Sequence, residues 1–349
     1  MKSKNYSENI IKVFKKDGFI LSEPDVLLDS DYIIERSGEN FRNIMLTFED
    51  DAGKSMCLRP DLTVASCIKY LKDNSKANSK IYYSGQAYRR SKSLNKIINY
   101  QLGLEIFGSK NKSLDDLKVL KTITNSINKI KIKNISIKVG DVSLFKQLID
   151  SLKIPERWRM RLKRHFWRPQ YFEDLLSRLE TNSDVDSSAV ELDKKKFYEM
   201  KNIDQNKEVA NRKVSEIISR FDRKIKDPRS FRENKKTVKI IKDFLKINCP
   251  IDKLEKTLNN FINKNKLNKS VFKDLSSLKN LSKLNSKITF STNFGRDIEY
   301  YSGVVFEIYN SSKKEIARGG RYDGLLKSLG SKKNISAVGA AINLNNLKI

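Results

Sequence analysis

The sequence is short of the side chains that most enzyme chemistry uses. Its 349 residues hold one histidine, His165, and three cysteines, Cys57, Cys67 and Cys249. One imidazole cannot build a multi-histidine metal site. The cysteines have neither the C-x-x-C spacing nor the even number of zinc or disulfide frameworks, so a reduced chain without a metal is expected. Long apolar runs are also absent, since nothing approaches the roughly 18 apolar residues of a membrane span. The first residues, MKSKNYSENIIKVFKK, spread charge through their apolar positions and lack the uninterrupted apolar core of a secretory signal. A cytoplasmic protein is expected, with no membrane and no cofactor.

Negative charge is in deficit: 70 Lys and Arg oppose 42 Asp and Glu, leaving +28. A surplus of this size suggests nucleic acid, because clustered cations gain affinity by releasing phosphate counterions. Here 51 of the cations are lysine, and the chain is also rich in Asn and Ile, the residues an A/T-rich genome favours. The lysines are scattered and form no block of the kind that marks an interaction tail, which favours a solvated surface over a nucleic-acid site. The densest basic stretch, Arg157 to Arg168, interleaves Trp158, Phe166 and Trp167 so that one helical face is aromatic and the other basic. Such a face can stack on bases, but it more commonly packs in a core or an interface. Apolar residues, at 38%, suffice for a core, and the length fits one large domain or two smaller ones.

Along the chain, Ile10, Ile11, Val13 and Phe14 predict a helix over 6–17, followed by an extended stretch to Pro24. Residues 43–59 predict a hairpin whose turn is Asp50-Asp51-Ala52-Gly53. A helix over 62–74, strands over 81–88 and 97–107, a helix over 113–130 and a strand over 135–139 follow. From about 143 to 283 apolar residues recur at three and four, which predicts an all-helical insert. Strand signals return at Ile288, strengthen through Tyr300 to Tyr309, and end in Gly319-Gly320 and the apolar run from Ala337 to Leu344. β-rich ends around a helical middle predict an α+β fold: a core domain from 1–142 and 284–349, interrupted by an insert over 143–283.

Several short motifs invite a chemical interpretation. Asp51-Ala52-Gly53-Lys54-Ser55 ends like a phosphate-binding loop, but Phe48 stands where its first glycine belongs and strand-like alternation continues on both sides, so it is a hairpin turn. In Arg59-Pro60-Asp61-Leu62-Thr63, Pro60 fixes the chain before a helix that Asp61 or Thr63 can cap. Gln101, Gly103 and Glu105 share one face of a predicted strand, an amide and a carboxylate around a glycine that leaves room for a ligand. The tracts Arg296-Asp297-Ile298-Glu299-Tyr300-Tyr301-Ser302-Gly303 and Gly319-Gly320-Arg321-Tyr322-Asp323-Gly324 place Arg and Tyr at strand ends. Arg can hold a carboxylate, Tyr a ring nitrogen and an acid an ammonium, the needs of a small zwitterion.

Taken together, Leu58 to Thr63, the Tyr88 to Glu105 hairpin, Arg296 to Glu307 and Gly319 to Leu325 resemble the class II histidyl-tRNA synthetase catalytic core, in the same order. The resemblance implies an antiparallel class II sheet flanked by helices. It also implies a histidine site with Asp61, Thr63 and Gln101 around the amino group, Arg296 at the carboxylate, Glu105 and Tyr301 at the imidazole, and Arg89 and Tyr300 completing the wall. Asp61 is one methylene shorter than the glutamate of the synthetases. The loop Arg90-Ser91-Lys92-Ser93-Leu94-Asn95-Lys96-Ile97 is short and lacks the family's arginine-bearing core, and Asn346 stands where the terminal motif has arginine. Those arginines hold ATP in the synthetases, because a bent triphosphate needs fixed positive charge around it. No anticodon-binding domain is expected after Ile349.

A synthetase-like core with these departures is similar to the regulatory subunits of ATP phosphoribosyltransferase. The segments Gly140 to Phe145, Leu152 to Trp158 and Arg161 to Pro169 resemble the same family. That resemblance implies a non-catalytic regulatory subunit required for the first step of histidine biosynthesis. Its partner would be the short-form catalytic subunit, its effector histidine, and its assembly a homodimer within a larger hetero-oligomer. Two alternatives stand beside it: a divergent histidyl-tRNA synthetase-like enzyme that forms an adenylate, and a basic RNA-binding module.

Overall fold

The structure, a computed structural model, describes residues 2–37, 39–73, 78–92, 97–181, 187–209, 212–226, 232–284, 287–296 and 299–347. Ser93 to Lys96 of the short loop, Asp297 and Ile298 of the tyrosine tract, and residues 182–186 of the Lys-rich segment lie outside the described residues. The chain divides into two compact units, Met1–Leu144 with Ile247–Leu258 and Lys273–Ile349, and Phe145–Lys246 with Asn259–Phe272.

In chain order the first unit begins with α1 (Lys2–Lys16), β1 (Ile20–Leu21), β2 (Leu27–Asp29), α2 (Ser30–Ser37), α3 (Glu39–Ile44), β3 (Leu46–Glu49) and β4 (Ser55–Leu58). It continues through α4 (Leu62–Lys72), β5 (Ser79–Tyr88), β6 (Ile98–Phe107), α5 (Lys112–Lys129) and β7 (Ser136–Asp141), and α6 (Val142–Ser151) carries the boundary after Leu144. The second unit holds α7 (Glu156–His165), α8 (Pro169–Thr181), α9 (Ser187–Lys201), β8 (Glu208–Val209), β9 (Arg212–Lys213), α10 (Val214–Lys226) and α11 (Asn234–Leu245). The rest is β10 (Asn248–Pro250), α12 (Leu254–Lys264), α13 (Ser276–Leu281), β11 (Ile288–Ser291), β12 (Val304–Tyr309), β13 (Glu315–Arg321), α14 (Leu325–Ser328) and β14 (Ala337–Asn343).

Among the described residues nine strands form one sheet in the order β1-β5-β6-β14-β13-β12-β7-β11-β10. Strands from both ends of the sequence alternate in it, as the β-rich ends imply. The sheet is mixed: its pairs are antiparallel except β1 with β5 and β11 with β7, which run parallel. α5 covers it with Val119, Leu120, Ile123 and Ile127, all buried at helical spacing. The expected hairpin turn is present, with Gly53 at φ +74° and Asp50 Oδ1 accepting from the Ala52 and Lys54 amides. Ile44, expected in a strand, ends α3 instead.

Two expectations for the middle of the chain need correction. Residues 247–258 and 273–283, assigned from sequence to the insert, group with the first unit, because β10 pairs antiparallel with β11. A three-residue strand is too short to show alternation. Nor is the insert all helical, since β8 and β9 pair as a small hairpin. In the second unit Phe145 stacks on Phe166, and Phe172 meets both edge-on. Trp158 and Leu162 of α7 are buried. The aromatic face of the basic helix is therefore core.

Candidate functional site

The sheet register builds a polar depression from small residues. β6 faces β14 with Gln101 opposite Asn343, Gly103 opposite Ala341 and Glu105 opposite Gly339. Across the next ladder Arg318 is opposite Ala341 and Gly320 opposite Gly339. Directly paired residues project to the same side, so Gln101, Glu105, Asn343 and Arg318 share one face around glycine and alanine. The result is a cavity of about 270 Å³. That volume lies just below the roughly 300 Å³ at which drug-sized pockets begin, and has room for a small molecule such as an amino acid.

Its lining balances charge. Asp61 and Glu315 face Arg89 and Arg318, with Thr63, Asn99, Gln101 and Asn343 as neutral hydrogen-bonding groups and Tyr300, Tyr301 and Tyr322 as aromatic walls. Among the described residues no lysine is in the lining. Asp61 caps α4 by accepting from the Val64 amide at 3.1 Å, and its other oxygen lies 3.5 Å from Arg89 Nη2. Arg89 is anchored in turn by donating from Nε to the Pro60 carbonyl at 2.8 Å. Arg318 is held between Glu307 and Glu315. Tyr300 meets Tyr301 and Tyr322 edge-on, and burial holds its phenol protonated, well above the usual range.

Glu105 projects from the same face but is covered by the side chains of Thr63, Tyr83 and Tyr322. It is fully buried and accepts hydrogen bonds from Thr63 Oγ1 at 2.8 Å, Tyr83 Oη at 3.2 Å and Tyr322 Oη. Burial pushes its pKa up to about 8, against the lowering effect of the Tyr322 and Thr63 hydrogen bonds. Between its ordinary pKa of 4.5 and about 8 the folded protein keeps a proton that the unfolded chain has released, so stability falls as pH rises through that window. Glu105→Gln, which mimics the neutral acid, is expected to flatten the dependence of Tm on pH between about 5 and 9 and to equal or exceed the parent at the alkaline end. An unchanged slope in thermal melts would assign the dependence to other groups.

Six of the eight residues expected from sequence, Asp61, Thr63, Arg89, Gln101, Tyr300 and Tyr301, meet in the lining. Two do not. Glu105 is screened by Thr63, Tyr83 and Tyr322, and acts through them. Arg296 is buried outside the lining and donates from Nη1 to Asn293 Oδ1 at 2.5 Å. The lining cations are Arg89 and Arg318. Sequence inspection missed Arg318, Glu315, Asn99 and Asn343; the register that aims Arg318 at the same side as Gln101 depends on two ladders across three strands and is not written in any local stretch. Asn346, which the resemblance puts in place of a synthetase arginine, donates from Nδ2 to the Glu315 carbonyl at 2.7 Å. Among the described residues no group of three or more His, Cys, Asp or Glu could hold a metal ion, and no helix is long and apolar enough to cross a membrane.

Known proteins resemble this chain along nearly its whole length. The ATP phosphoribosyltransferase regulatory subunit of Allorhizobium ampelinum is 24% identical, the alignment covering 99% of this chain and 97% of that protein. The protein of the same name from Mesorhizobium japonicum is 25% identical over 97% and 95%. Among solved structures, a histidyl-tRNA synthetase from Nostoc superposes with a TM-score of 0.62 at 17% identity, covering 99% of this chain and 70% of that one. An ATP phosphoribosyltransferase regulatory subunit/histidyl-tRNA synthetase from Bacillus halodurans gives 0.61 at 16% identity, over 99% and 77%. These likenesses establish the class II synthetase fold. The family model for histidyl-tRNA synthetase matches residues 1–347, and the chain belongs to that family.

Proposed function

We propose that the chain is a regulatory subunit of ATP phosphoribosyltransferase that binds histidine and transmits feedback inhibition to a short-form catalytic subunit in the first step of histidine biosynthesis. One observation carries it: a cavity equipped for a zwitterion stands beside Asn346, whose amide is held by a backbone carbonyl where an adenylating relative uses arginine. The names of the relatives similar to it end to end support the same role. In this reading Asp61, Thr63 and Gln101 take the ammonium, Arg89 or Arg318 the carboxylate, and Tyr300 and Tyr301 the imidazole. Glu105 sets the positions of Thr63 and Tyr322. Histidine favours one arrangement of the assembly, with a coupling of about 1–3 kcal/mol that is reciprocal between the effector and the partner.

Mixing the purified chain with the short catalytic subunit is expected to raise turnover of ATP and phosphoribosyl diphosphate and to make it histidine-sensitive. Absence of a complex and of any rate change would end the proposal. The presence of Arg89 and Arg318 in the lining favours a second function, formation of a histidyl adenylate. Histidine-dependent ATP–pyrophosphate exchange by the chain alone would establish that activity and overturn the non-catalytic one.

A further inference from the structure

The second unit carries a groove of about 1260 Å³ that the histidine cavity of the first unit does not involve. One wall is the face of α7 bearing Arg157, Met160, Arg161 and Arg164, positions spaced by three and four. The other is the face of α10 bearing Ile217, Arg220 and Phe221, and the β8–β9 hairpin adds Val209 and Arg212. With Lys163 the lining holds six cations against two carboxylates, Glu156 and Glu216, and Glu156 already pairs with Arg159 at 2.5 Å. Met160 is 47% exposed, and Ile217 and Phe221 are only half-buried.

We infer that this groove docks an acidic amphipathic helix of a protein partner. Its volume exceeds the roughly 300–1000 Å³ of small-molecule pockets. It equals that of about ten helical residues, for a cylinder about 10 Å wide rising 1.5 Å per residue. The apolar side chains take the helix's apolar stripe, and the arginines on both walls take acids on its flanks. Single-stranded nucleic acid fits less well, because it needs exposed aromatic faces for base stacking. Trp158 and Phe166 are buried, and the Arg168 guanidinium covers Trp167 at 4.3 Å.

The test uses the full chain and a fluorescent 18-residue peptide of Glu and Leu at helical spacing, with a scrambled peptide of the same composition and a single-stranded RNA of equal charge as competitors. Anisotropy at physiological salt is expected to show binding of the amphipathic peptide at least about tenfold tighter than the scramble. Arg164→Glu with Arg220→Glu should weaken it about tenfold or more, and Met160→Asp should do so comparably. All three positions are exposed, and circular dichroism checks that the variants stay folded. Equal binding of the scramble, no binding, or RNA that binds more tightly and ignores Met160→Asp would overturn the inference. The histidine proposal stands or falls separately, because its assay reads histidine-sensitive turnover by the catalytic subunit, whereas this one reads binding of a peptide to the chain alone.

Discussion

Gly339→Ala is expected to lower Tm by about 10 °C and to abolish histidine binding in calorimetric titration. An added Cβ would lie 1.4 Å from Glu105 Oε2 and 2.6 Å from the Leu104 carbonyl oxygen. Neither gap can hold a methyl group, and the carbonyl belongs to the ladder joining β6 to β14, so the Glu105 side chain must leave. Overpacking costs about 1–3 kcal/mol. Stranding the hydroxyls of Thr63, Tyr83 and Tyr322, which now converge on that carboxyl group, adds about 1–3 kcal/mol more. At about 2–4 °C per kcal/mol the two effects reach the stated shift. Because Thr63 and Tyr322 also line the cavity, the site is lost with the packing. A variant that melts like the parent and binds histidine equally would refute the role assigned to the buried carboxyl.

Asp116→Ala should destabilise by about 3 kcal/mol, the low end of the roughly 3–5 kcal/mol that a broken buried ion pair costs. Arg321 donates from Nε and Nη2 to Asp116 Oδ1 at 2.9 and 2.6 Å, and Ser277 Oγ donates to Oδ2 at 2.5 Å. Both charged side chains are almost wholly buried, at 7% and 2% exposure. Removing the aspartate leaves the buried guanidinium without its main counter-charge between α5 and β13. The loss stays at the low end because Asp323 Oδ1 remains 3.0 Å from Nη1 and the Lys112 carbonyl accepts from Nη2. Denaturant melts compared with those of Asp323→Ala measure the difference; Asp323, at 22% exposure against 2% for Asp116, should cost less. Equal losses would mean that Asp323 carries the pair.

Much of the fold was legible in local pattern. Helical spacing located α1, α4 and α5 to within a few residues, strand-like patterning located β5, β6 and β7, and the apolar run from Ala337 to Leu344 coincides with β14. Gln101, Gly103 and Glu105 were placed on one face by the period of a strand alone, and the ladder with Asn343, Ala341 and Gly339 has them there. What failed locally were elements too short to carry a period. β2, β8, β9 and β10 span two or three residues each, and β10 hid inside a helical pattern. The depth of a side chain was also invisible, because alternation distinguishes two faces of a strand but not what lies above either of them. Glu105 therefore read as a ligand contact, while three hydroxyls cover it.

The sequence by itself determined the class II pattern, the spacing of Asp61 and Thr63 at a helix start, and the pairing of Gln101 with Glu105 on one face. It also determined that 51 of the 70 cationic side chains are lysine; among the described residues none of these lines the cavity. Only the tertiary structure decided which charges face the cavity. β6 and β13 are more than 200 residues apart in the chain and meet through β14 in one hydrogen-bonded register, which turns Arg318 inward while Arg296 stays buried beside Asn293. Ladder partners are fixed by long-range pairing and by the space that Gly339 leaves, and neither is encoded in any stretch short enough to read alone.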